Sequence, residues 1–72
     1  MERLSFNDIF ITYPDGSIEP RQPISVSGVL FGPGVRFNRG VSFAGIDFTL
    51  FTDKYFQVRR VGERLDIIGI YQ

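Results

Sequence analysis

GVLFGPGVRFNRGVSFAGIDFTLF, residues 28–51, contains one four-residue pattern four times: Gly, then Val or Ile, then any residue, then Phe. The copies are Gly28–Phe31, Gly34–Phe37, Gly40–Phe43 and Gly45–Phe48, so the glycines are offset by 6, 6 and 5 residues. Val and Phe two positions apart share one face of an extended chain, and both residue types favour strands. Two architectures fit this pattern. In a meander, Gly32-Pro33-Gly34 and Asn38-Arg39-Gly40 are tight turns between very short strands, with Gly40 in the left-handed position of a type I turn plus bulge. In a solenoid, each V-x-F unit is one side of a β-helix with Phe pointing inward. The meander is preferred, because a solenoid needs several stacked repeats to bury anything.

The run Val41–Leu50 resembles two consecutive pentapeptide repeats, whose central position is Leu or Phe. That resemblance covers ten residues and implies a short solenoid there.

Outward from this centre the chain reads as hairpins. Ile9–Tyr13 is a β-branched and aromatic run, with Ile9, Ile11 and Tyr13 expected on one face. Tyr13-Pro14-Asp15-Gly16-Ser17 is a turn: Pro presets φ, Asp bonds the local backbone, and Gly supplies positive φ. A hairpin from about Phe6 to Glu19 follows, its second arm kept short by Pro20 and Pro23, which lack the N–H a ladder needs. Ile24–Phe31 resumes the strand pattern, and Gly28 within it suggests a bulge or a close backbone approach. Ile46–Leu50 reads as a strand and Thr52–Lys54 as a turn, although Phe48, Phe51, Tyr55 and Val58 keep helical spacing. Tyr55–Val61 and Leu65–Tyr71 form a second hairpin across Gly62-Glu63. Leu65–Tyr71 is apolar enough for a central strand covered on both faces, with Gly69 allowing a bend.

The expectation is a single all-β domain over residues 1–72, a small antiparallel barrel or sandwich of about five to seven short strands. A short solenoid of G-[VI]-x-F repeats and an α+β fold with one helix near 47–57 are the alternatives. The expected core is Ile9, Ile11, Val26, Leu30, Phe37, Phe43, Phe48, Val58, Ile67 and Ile70.

Composition narrows the function classes. The 72 residues hold no Cys and no His, which removes disulfides, thiolate metal sites, the commonest metal ligand and the usual general base near neutral pH. No metal or cofactor is expected. Serines without a nucleophile-elbow motif, and the carboxylates Asp47 and Asp53 expected at turns, point away from an enzyme. Gly32-Pro33-Gly34 opens a strand and not a helix, so it lacks the N–H cluster of a phosphate loop. Eight acidic and eight basic residues give zero net charge, which argues against a dedicated nucleic-acid binder. Residues 1–20 carry net −3 and residues 21–72 net +3. No signal peptide or membrane span is legible, and the cytoplasm is the expected compartment.

A chain this short without staples needs a dense core or a partner. The expected function is therefore a non-catalytic interaction or assembly module, self-associating or bound to a larger protein. Apolar edges near Ile24–Phe31 or Leu65–Tyr71 would form the contact, with Arg36, Arg39, Arg59 and Arg60 at its margin. The alternative is a single-stranded nucleic-acid binder that stacks bases on Phe37 and Phe43 while Arg36 and Arg39 track phosphates.

Overall fold

Ser5 begins the first departure from a simple strand pattern. Its hydroxyl accepts from the Asp8 N–H at 3.3 Å, and the Asp8 carboxylate accepts from the Ser5 N–H at 3.0 Å. This reciprocal cap closes one helical turn, α1 (Phe6–Ile9), between β1 (Glu2–Ser5) and β2 (Phe10–Thr12). The computed structural model describes residues 1–42 and 44–71, and within them the chain continues as β3 (Ile18–Pro20), β4 (Ile24–Val26), β5 (Val29–Phe31), a 3-10 turn (Phe48–Phe51), β6 (Tyr55–Val61) and β7 (Arg64–Tyr71).

The strands form two sheets: five strands in the order β1-β6-β7-β4-β5, and the hairpin β2-β3. The fold is thus a small all-β domain with one short helix, as its strand content predicted. Both expected hairpins are present, with β2 paired to β3 from Phe10↔Pro20 to Thr12↔Ile18, and β6 to β7 across Gly62-Glu63. One pairing departs from the antiparallel expectation. β4 runs parallel to β7, with Ser25 opposite Asp66, and the Leu65 N–H extends the ladder to the Pro23 carbonyl at 2.9 Å.

Four phenylalanines close a ring at the centre of the core. Centroids lie 4.7 Å apart for Phe6–Phe10, 5.5 Å for Phe10–Phe48, 5.9 Å for Phe48–Phe56 and 6.2 Å for Phe6–Phe56. These are the separations at which aromatic rings attract beyond their buried area. Ile9, Ile18, Ile24, Val26, Phe37, Val58 and Leu65 complete the buried set, with Ile67 and Ile70 packed against it. Ile11 is only half-buried and Leu30 is 65% exposed, both against expectation. For Ile11 the cause is the capped turn, which buries Phe6, Ile9 and Phe10 at helical spacing and so puts Phe10 on the inner side of β2, whereas Leu30 stands opposite Ser25 on the outward side of β5. Phe43, also expected in the core, lies outside the described residues.

The G-[VI]-x-F repeat is a repeat of turns. Its glycines have φ of +81°, +96°, +87° and +78°, the left-handed region that glycine adopts readily. Ser27-Gly28 make a two-residue hairpin loop, so Gly28 is neither a bulge nor a close approach. The Val35 N–H bonds Gly32 O at 3.3 Å and the Val41 N–H bonds Asn38 O at 3.1 Å, closing the two expected turns. The V-x-F segments between them share no single structure. One is β5, one bridges Phe37 to Ile18 with bonds of 2.8 and 2.9 Å, and one enters the 3-10 turn. Asp47 caps that turn by accepting from the Thr49 N–H at 3.0 Å, which replaces the expected strand over Ile46–Leu50. No helix among the described residues is long and apolar enough to cross a membrane.

Candidate interaction surface

The core covers one face of the five-stranded sheet; among the described residues no element covers the other face. Phe56 and Val58 point inward, so Tyr55, Gln57 and Arg59 point outward. Leu65 points inward, so Asp66 points outward, and β7 is not the doubly covered strand its composition suggested. The register slips where Gln57 faces Gly69 but Val58 faces Ile67, leaving Ile68 as a bulge and returning Tyr71 beside Tyr55. Across the neighbouring strands, Arg3 joins this face opposite Gln57, Ser25 opposite Asp66, and Leu30 opposite Ser25.

Leu30, Tyr55, Val61, Ile68 and Tyr71 are exposed on or around this face. The Arg3 guanidinium lies 4.6 Å from the Tyr55 ring centroid and 5.1 Å from that of Tyr71, a double cation–π contact. Asp66 is the acidic group of the face, its side chain 14% exposed and bound by Arg64 at 2.7 and 3.3 Å. Arg59 stands 3.8 Å from the same carboxylate. Arg3, Arg59 and Arg64 against Asp66 give the face a net charge of +2.

The four arginines expected at one contact margin separate into three places. Arg36 reaches over the β2–β3 turn: it donates to Ser17 Oγ at 2.7 Å, pairs with Asp15 at 3.4 Å and lies 3.7 Å above the Tyr13 ring. Arg39 sits at the same turn, with its guanidinium over Gly16. Arg60 pairs with Glu2 at 2.8 Å beyond the edge of the core, on the opposite side of β6 from Arg59. Arg59 alone of the four belongs to the open face. Sequence reasoning missed Arg3 and Arg64 there, whereas Ser25 and Tyr71 lie in the edges it named, Ile24–Phe31 and Leu65–Tyr71, and alternation along the β6–β7 hairpin places Tyr55, Gln57 and Arg59 together.

The Arg36 cluster ties the loop after β5 to the β2–β3 hairpin. The Tyr13 hydroxyl donates to Glu19 at 2.6 Å, and the other Glu19 oxygen accepts from the Gly34 N–H at 2.7 Å. These two donors hold the Glu19 carboxyl below its usual range, the Tyr13 bond contributing most. Asp15 is held low by the Ser17 hydroxyl and then the Ser17 N–H, and Tyr13 is raised by donating to Glu19. A carboxylate lowered in the folded state adds stability above its unfolded pKa, about 4, and loses it as pH falls through the folded value. Tyr13 behaves oppositely: its contribution is complete below about pH 10 and is lost as pH rises through the raised folded value. Melting temperature is therefore expected to hold steady from about pH 5 to 9 and to fall on both sides. Thermal melts of Glu19→Gln beside the parent chain check this, with part of the acid decline removed in the variant. An acid limb identical in both would show that Glu19 does not carry it.

Compared with family models, curated proteins and solved structures, the chain finds no match.

Proposed function

We propose that the chain is a non-catalytic protein-interaction module, acting in the cytoplasm, that docks a larger protein through the open face of its five-stranded sheet. The observation that carries this reading is the face itself: exposed Tyr55, Tyr71, Ile68 and Leu30 interspersed with Arg3, Arg59 and Arg64. Tyr and Arg are enriched at interfaces, and apolar groups with arginines at their margin make binding hot spots. Self-association through the same face is the weaker version, because two copies would bring +2 against +2. A partner with an acidic rim has the complementary charge. The non-catalytic reading draws support from Asp47, a candidate acid, which is committed to capping the 3-10 turn. The nucleic-acid alternative loses its stacking platform at Phe37, which is 7% exposed and points into the core.

The test pairs light scattering on the parent chain with capture of binding proteins by the parent, Leu30→Glu and Ile68→Glu. Both substituted side chains are exposed, so stability is expected to stay within about 0.5 kcal/mol. The expected result is a monomer whose capture of a defined partner is lost in both variants and kept in Asp53→Asn, on a turn away from the sheet. A dimer dissolved by the same variants would transfer the reading to self-association. A submicromolar oligonucleotide complex weakening steeply with salt would replace it by nucleic-acid binding.

A further inference from the structure

At the junction of β4 and β7 the open face dips into a depression of about 310 Å³, lined by Ser25, Ser27, Gly28, Arg59, Asp66 and the two isoleucines Ile67 and Ile68. We infer that this depression is a receptor for a single carboxylate, presented by an acidic side chain or chain terminus of a partner protein. The inference rests on the interaction-module reading and assigns its charged anchor.

The lining holds several hydrogen-bond donors that make no hydrogen bond among the described residues. Arg59, like Arg3 and Arg39, makes no hydrogen bond among the described residues, whereas Arg21, Arg36, Arg60 and Arg64 each make at least one. The Ser25 and Ser27 hydroxyls also have no hydrogen-bond partner among the described residues, and Gly28 lies in a two-residue turn where an added Cβ would meet open space. The acceptor in the lining, Asp66, is already taken: Arg64 holds both of its oxygens with a fork, at 2.7 and 3.3 Å. Arg59 forms a long ion pair with Asp66 at 3.8 Å, beyond hydrogen-bond distance, with its side chain 58% exposed, so that carboxylate orients the guanidinium without engaging its N–H groups in hydrogen bonds. A concave site with spare donors and a filled acceptor recognises an acceptor ligand.

Charge and shape select the kind of oxyanion. Arg59 and Arg64 against Asp66 leave +1, which balances one negative charge. A phosphate monoester carries about −1.5 to −2 at neutral pH and would face Asp66 undercompensated. A carboxylate carries one charge and matches the planar fork of a guanidinium. The volume is near the lower bound of ligand pockets, about 300 Å³, which suits one side chain and not a larger metabolite. Ile68, exposed at the bulge, offers apolar wall to the methylene groups of such a side chain, while the Ile67 side chain packs against the core. In the sheet, Arg59, Asp66, Ser25 and Leu30 stand in one transverse row, so a residue bound here places its neighbours on the exposed Leu30 and Ile68.

The probe is acetyl-glutamate amide, titrated into the full ¹⁵N-labelled chain, with acetyl-glutamine amide and inorganic phosphate as separate arms. Shifts are expected at the Ser25, Ser27 and Gly28 amides and at Arg59 Nε, saturating in the millimolar range for the glutamate probe. The glutamine probe is expected to give none, and phosphate to bind more weakly. Arg59→Gln is expected to weaken the glutamate probe at least tenfold, and Arg59→Lys to restore part of the affinity, with the remaining spectrum confirming that both variants fold. Equal response to glutamine, unchanged affinity in Arg59→Gln, shifts centred on Arg36 and Arg39, or tighter binding of phosphate would each overturn the assignment. The probe needs no partner protein, so its failure removes the site and leaves the docking face standing. Saturable probe binding with no partner lost in Leu30→Glu or Ile68→Glu would do the reverse.

Discussion

Phe10→Ala is expected to leave little cooperatively folded protein at 37 °C. Phe10 is fully buried and touches two members of the aromatic ring, Phe6 at 4.7 Å and Phe48 at 5.5 Å. Truncating such a side chain costs roughly 3–5 kcal/mol, the transfer loss plus the cavity. The whole stability of a domain of this length is roughly 4–11 kcal/mol at typical values per residue. In a small domain each kcal/mol moves the melting temperature by about 4–8 °C, so a drop of at least about 12 °C is expected. Circular dichroism melts of Phe10→Ala and of Leu30→Ala settle it. The second variant truncates an apolar side chain that is exposed on the surface and is expected to melt within a few degrees of the parent. A drop below about 5 °C for Phe10→Ala would mean that the ring is not the centre of the core.

The second large effect is expected at Gly16 and Gly40, each replaced by Val. Both hold φ near +87°, where a β-branched side chain collides with its own backbone. Beside Gly40 an added Cβ meets open space, so its cost is backbone strain alone, about 1–3 kcal/mol. At Gly16 the same Cβ would come within 3.2 Å of the Arg39 guanidinium, a flexible end that must move aside. Gly16→Val is therefore expected to cost at least as much, and the difference between the two measures the Arg39 packing. Gly32→Ala is the control, because Gly32 has neither a positive φ nor a neighbour within 4 Å. It is expected to be neutral or to stabilise by about 0.4–1 kcal/mol. Urea midpoints at unchanged slope decide the matter; parent-like midpoints for both valines would show that neither turn is strained.

What the sequence makes legible here is what is local. Tyr13–Ser17 and Gly62-Glu63 announce their turns through Pro, Asp and Gly, and both hairpins form where those residues put them. The capping pair Ser5 and Asp8 was equally local and was passed over because the β-branched run after it read as one strand. That single turn shifts the phase of everything from Phe6 to Thr12, which explains why Phe10 and not Ile11 is buried. The parallel pairing of β4 with β7 is a different matter, since no local pattern tells Ser25 that Asp66 will be its neighbour. The arginines show the same limit. Arg36 and Arg39 looked free in a glycine-rich stretch, yet the fold turns both onto the Tyr13–Ser17 hairpin loop. Arg59 reaches the open face because strand alternation, a local rule, puts it there.

The position of β6 and β7 between β1 and β4 also governs how the chain assembles. Every other strand of the large sheet reaches it through one of these two: β1 through β6, and β4, carrying β5, through β7. Their hairpin closes over two residues, an event of about 1–10 μs. Joining Glu2 to Val58 or Ile24 to Leu65 requires far longer loops, whose closure entropy delays them. The first three-quarters of the chain is accordingly expected to stay without its main sheet until the last hairpin forms. Residues 1–54 alone should be largely unstructured, and a peptide spanning 55–71 should serve as their template. Apart from the local β2–β3 and β4–β5 hairpins, assembly is then expected to run against the direction of the chain, from the strands read last to the strands read first.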